Sequence, residues 1–100
     1  MGHSRWLTVV SPDGVAGVEL VLEPLGFPPA KVYQKALFDA GMPAIALISR
    51  DIHADYERLT RLGVVFRGEP QEAGLITTVL FKDTCGNLIN LVQPKVQPAP

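Results

Sequence analysis

Two stretches of this 100-residue chain carry the same layout about seventy residues apart. The run TVVSPDGVAGVELVLEP (residues 8–24) reads as a strand, a Pro-Asp-Gly turn, a second strand and a proline stop. The run VLFKDTCGNLINLVQP (residues 79–94) repeats that order. Repetition at this spacing implies two copies of one supersecondary unit, neither of which buries its apolar face alone. The chain must therefore build a paired, sheet-based fold, and a sheet made of two such copies curves around a cleft.

The rest of the chain can be divided around these hairpins. In the first, residues 6–10 and 18–23 are the strands, the latter alternating apolar and polar with the period of a half-buried strand. Tyr33, Ala36, Leu37 and Ala40 are spaced for a helix over 30–40 that stops at Gly41. Residues 43–49 read as a buried strand. Asp51 can cap a following helix whose stripe is Ile52, Tyr56, Leu59 and Leu62, ending at Gly63. A further strand starts at 64–66 and ends at 68–70, and strands at 75–81 and 88–92 close around the turn 83–86. The expected organisation is a single domain: hairpin 1–24, linking helix segment 25–42, a complete β-α-β-β-β module 43–94, and an extended tail 95–100. The first module has only the last two strands of that order.

Composition narrows the function. At 47% hydrophobic and 19% charged, the chain is an ordinary globular domain. A formal net charge of -1 with scattered cations offers no basic stripe for nucleic acid, and no apolar run is long enough for a bilayer. Cys85 is the lone cysteine, so an intrachain disulfide is excluded, and no charged-then-apolar segment opens the chain. The expected setting is cytoplasmic. His3, in the opening residues 1–4, is given no role.

The run FKDTCGNLINLVQP (81–94) resembles the closing motif of the vicinal oxygen chelate superfamily, which includes glyoxalase I, bleomycin resistance proteins and extradiol dioxygenases. The run AIALISRDIHADYERLTRLGV (44–64) is similar to the opening strand and helix of its second module. The resemblance covers almost the whole chain and implies an α+β fold of paired βαβββ modules around a cleft, with the first module incomplete. The strand, helix and strand that normally precede a segment like residues 5–8 are missing, which implies truncation at the N-terminus or supply by a neighbouring chain.

Members of the superfamily often hold one divalent metal such as Zn, Ni, Mn or Fe, with oxygen and imidazole ligands converging from several strands. The resemblance places the carboxylate position of each closing hairpin on Glu19 and Asn90, and a histidine position on Ala44. Only Glu19 keeps a carboxylate. One carboxylate cannot hold a catalytic metal, so no bound cofactor is expected and Glu19 is the sole weak ligand candidate. The alternative is a metal-dependent lyase, isomerase or dioxygenase of the glyoxalase type, akin to lactoylglutathione lyase or an extradiol dioxygenase, completed by ligands from the missing segment.

The expected site is a largely apolar cleft lined by Trp6, Thr8, Glu19, Thr78, Leu80 and Asn90, which strand alternation assigns to corresponding faces of the two hairpins. A ring, hydroxyls, an amide and a carboxylate suit a small, partly planar organic molecule, held without being changed. His53, with Asp51, Asp55 and Glu57 nearby, lacks the spacing of a zinc helix and is read as solvated. Cys85 is read as a spectator thiol. An incomplete first module leaves an apolar sheet face and a strand edge uncovered, so a homodimer is expected, in which the hairpin 6–23 either stays with its own chain or is exchanged.

Overall fold

The structure, a computed structural model, describes residues 7–95. The chain divides into two compact units, Met1–Val32 and Tyr33–Pro100. In the first, β1 (Leu7–Val9) pairs antiparallel with β2 (Leu20–Leu22), with Thr8 opposite Val21. Both strands are shorter than the sequence pattern predicts, because two successive turns take up the residues between them. Gly14 N–H donates to Ser11 O at 3.1 Å, and Val18 N–H donates to Val15 O at 3.2 Å. Gly17, inside the second turn, sits at φ 82°, where a side chain would be strained. Trp6 lies outside the described residues.

Helix α1 (Pro28–Asp39) starts two residues before the predicted helix, on a pair of prolines. Their missing N–H groups are harmless in a first turn, which has no intrahelical acceptors for them. The helix ends as expected at Gly41, whose φ of 72° accommodates the reversal.

The second unit holds a four-stranded sheet in the order β3-β6-β5-β4, formed by β3 (Ile45–Ile48), β4 (Gln71–Ala73), β5 (Ile76–Lys82) and β6 (Leu88–Pro94). β3 runs parallel to β6 and the other pairs are antiparallel. Helix α2 (Ile52–Arg61) connects β3 to the rest and packs on one face. Its start is tightly specified. The Asp51 carboxylate accepts from Ala54 N–H at 3.1 Å, and the Ser49 hydroxyl donates to Asp55 Oδ2 at 2.5 Å while accepting from Asp51 N–H. Gln93 on β6 reaches across to the same end, accepting from Ile52 N–H and donating to Arg50 O.

The core sits between α2 and the sheet. Ile52, almost wholly buried, packs with Val79 and Leu91, and Tyr56, Leu59, Phe66 and Phe81 close around them. The rings of Tyr56 and Phe66 lie 4.7 Å apart and those of Phe66 and Phe81 5.6 Å, both tilted. Burial of this kind contributes on the order of 2 kcal/mol per large aliphatic side chain.

One element departs from expectation. Residues 64–66 do not begin a continuous strand: Phe66 makes an isolated bridge to Phe81, and the edge strand resumes at Gln71–Ala73. Gly68, at φ 97°, and Pro70 interrupt the ladder between them. The α+β class matches the sequence reading, but the second strand of this half lies at Gln71–Ala73 and not at the expected 64–66.

Candidate functional site

Strand alternation decides which side chains of the second unit turn away from the helix. Val79 and Leu91 are directly opposed and face α2, so Thr78, Leu80, Asn90 and Val92 alternate to the other face. The register sets Leu80 beside Asn90 and Thr78 beside Val92, with Ala46 of β3 flanking Asn90 on its far side. Thr78 Oγ1 donates to Asn90 Oδ1 across the diagonal. That bond fixes the Asn90 amide, whose Nδ2 makes no hydrogen bond among the described residues. Thr78, Leu80 and Asn90 are each half-buried. The face is thus an apolar surface with one oriented hydroxyl and one oriented amide.

Arg67 belongs to the same face, and sequence reasoning missed it. Phe66 pairs with Phe81 on the α2 side, so Arg67 alternates away from it, its backbone N–H bonded to Leu80 O at 2.8 Å. Its guanidinium carbon lies 5.0 Å from the centroid of the Phe38 ring on α1, a cation–π distance. No carboxylate pairs with it among the described residues.

α1 is tied to the end of the closing hairpin by Gln34. Its Nε2 donates to Cys85 O at 3.0 Å and to Asn87 Oδ1 at 3.1 Å. Asp83 organises that turn: Oδ1 accepts from Cys85 N–H and Asn87 N–H, and Oδ2 accepts from Asn87 Nδ2 at 2.8 Å. Partial burial works to raise the Asp83 pKa. The bonds from the Asn87 side chain and the two backbone N–H groups outweigh it, and the net direction is below the ordinary carboxylate value. Thr84 sits at φ 70° in the same turn, an uncommon conformation for a β-branched residue. Cys85 is exposed.

In the first unit, Thr8 Oγ1 donates to Glu19 Oε1 at 2.5 Å, the counterpart of the Thr78–Asn90 bond. The two hairpins therefore use a threonine in the same way, with a carboxylate in one and an amide in the other. These donors do not fit a divalent ion. Among the described residues no three His, Cys, Asp or Glu side chains converge, and Ala44 has no side-chain donor atom. His53 is exposed on α2, across the sheet from Thr78 and Asn90. No described helix is long and apolar enough to cross a membrane.

The fold and the closing hairpin can now be set beside known proteins. The profile of the Glyoxalase/Bleomycin resistance protein/Dioxygenase superfamily matches residues 1–91. The chain belongs to this superfamily. Among its relatives, the uncharacterized protein YurT of Bacillus subtilis (strain 168) is 50% identical over 93 residues, which are 93% of this chain and 73% of that protein. The structure is similar to that of UcmS2, with a TM-score of 0.69 and 30% identity over 92% of this chain and 72% of the other. It is also similar to TnmS3, an antibiotic binding protein from Streptomyces sp. CB03234, with a TM-score of 0.62 and 32% identity, over 92% of this chain and 67% of that one.

Proposed function

We propose that this chain binds a small, partly planar organic molecule on the sheet face opposite α2, in the cytoplasm and without a bound metal. The observation that carries the reading is the Thr78–Asn90 pair, a half-buried hydroxyl and amide fixed in orientation on an otherwise apolar face. Apolar area supplies affinity in such a site and a few placed polar groups supply orientation. The similarity to an antibiotic binding protein supports the same reading. Thr8 and Glu19, oriented by an equivalent bond, are proposed as ligand contacts of the first hairpin in their own right.

The test is a fluorescence titration with anthracene-2-carboxamide, a neutral planar probe, before and after treatment with a chelator. Saturable binding that the chelator leaves unchanged is expected, together with a metal content near zero by elemental analysis. One tightly held metal per chain, released by Glu19→Ala, would contradict the reading, because the superfamily's metal chemistry would then be present.

We further propose a homodimer. Leu7, Val9, Leu20 and Leu22 leave roughly half of their surface exposed, and β3 is an uncharged edge strand whose Ile45, Leu47 and Ile48 are exposed. Free apolar edges of this kind favour pairing with another chain. Light scattering at micromolar concentration is expected to give about twice the 10.8 kDa chain mass. A mass of one chain at all concentrations would remove the proposal.

A further inference from the structure

We propose that the ligand taken by this face carries an anionic or strongly electron-rich oxygen on its aromatic body, and that Arg67 is the residue that selects it. The inference rests on the ligand-face reading above and adds a charge preference to it. Arg67, just past the Phe66 bridge, lines up with Leu80 on β5 and Asn90 on β6, its backbone N–H bonded to Leu80 O and Leu80 opposite Asn90. Strand spacing puts the first and last of them about 10 Å apart. A flat ring lying over Leu80 would therefore meet a donor at each end, the guanidinium on one side and Asn90 Nδ2 on the other.

Three features favour an anionic oxygen over a neutral or cationic group. Arg67 has no carboxylate partner among the described residues, although three other cations of the chain, Lys35, Arg58 and Lys95, do. An unpaired guanidinium packed on a ring is a donor fork held in place at little further loss of side-chain freedom. The charge carried by the strands of this face is also of one sign. β3, β5 and β6 contain no acidic residue, and Lys82 alternates to the same side as Leu80. The acid on β4, Glu72, alternates towards α2 and is paired with Lys95 at 3.0 Å. Finally, Asn90 Nδ2 makes no hydrogen bond among the described residues and is available as a donor. A cationic ligand would find no carboxylate on β3, β5 or β6, whereas a carboxylate or phenolate would meet two donors and a fixed positive charge.

The experiment compares anthracene-2-carboxylate, anthracene-2-carboxamide and 2-(aminomethyl)anthracene by fluorescence titration against the wild-type chain and against Arg67→Gln and Arg67→Lys. The carboxylate is expected to bind about tenfold more tightly than the amide, with the ammonium weakest, and the preference should weaken as salt is raised. Arg67→Gln should remove the preference by weakening the carboxylate more than the amide. Arg67→Lys, which keeps the charge but loses the planar fork, should fall between. Melting curves of the variants should match the wild type, since Arg67 is exposed. Equal affinity for carboxylate and amide, or a preference untouched by Arg67→Gln, overturns this inference and leaves small-molecule binding standing. If none of the three probes binds, the proposed function fails and this inference with it.

Discussion

The β1–β2 and β5–β6 hairpins share a sequence layout and a threonine hydrogen bond, yet they differ in how much they bury. Strands β5 and β6 run seven residues each and bury Val79, Leu88, Ile89, Leu91 and Val92. Strands β1 and β2 run three residues each, and every one of their side chains is exposed. The difference lies in the elements that flank each hairpin. β5 and β6 close a module whose helix α2 covers one face and whose strand β3 extends the sheet, whereas β1 and β2 have neither among the described residues of their own unit. Local pattern is thus enough to form a hairpin, but long strands and a core require the βα pair that the second half supplies.

Paired substitutions, one in each half, put this contrast at risk. The largest effect is expected in the core: Ile52→Ala should cost about 3 kcal/mol in chemical denaturation, by lost burial plus a cavity. Leu20→Ala, measured at concentrations low enough for a single copy, should cost less than about 1 kcal/mol. Equal costs would mean that the first hairpin is buried after all.

The turns come next. Asp83→Ala should destabilise by about 1–2 kcal/mol, because it removes the acceptor of three bonds, whereas Asp13→Ala should fall within about 0.5 kcal/mol. The Asp83 contribution also sets a pH dependence. Its folded pKa is lowered, so its stabilisation is present above the ordinary carboxylate pKa of about 4 and is lost as the pH falls below that value. Melting temperature should therefore fall in acid, and less steeply in Asp83→Asn.

The paired threonines separate by burial. Thr78→Val should cost about 1 kcal/mol, since it leaves a half-buried Asn90 oxygen without its donor, and Thr8→Val less than about 0.5 kcal/mol because Glu19 can turn to water. The smallest effect expected is a gain. Thr84→Gly relieves a positive φ that the first hairpin meets with a glycine at position 17, and should stabilise by about 0.5 kcal/mol in thermal melts.

What could be read from the amino-acid sequence was what local chemistry controls. Asp51 announces the start of α2, Gly41 and Gly63 announce two helix ends, and alternation assigns Thr78, Leu80 and Asn90 to one face before any coordinates exist. Strand β4 was not legible, because Gln71–Ala73 has neither alternation nor β-branched residues and is held only by pairing with β5. Arg67 was missed for a related reason. Its place depends on a bridge from Phe66 to a strand far along the chain and on a ring carried by α1, and neither leaves a mark in the residues around it. The true lengths of β1 and β2 were also hidden, since the two turns that shorten them look like continuing strand.

Binding of small molecules to the sheet face away from α2 is the proposal on which the others depend, and amide chemical-shift mapping reads it out residue by residue. Titration of isotope-labelled protein with anthracene-2-carboxylate should move the signals of Arg67, Thr78, Leu80 and Asn90 together, along one saturating curve, while those of His53 and Glu57 on the exposed side of α2 stay in place. Shifts confined to α2, or scattered without saturation, would contradict the account.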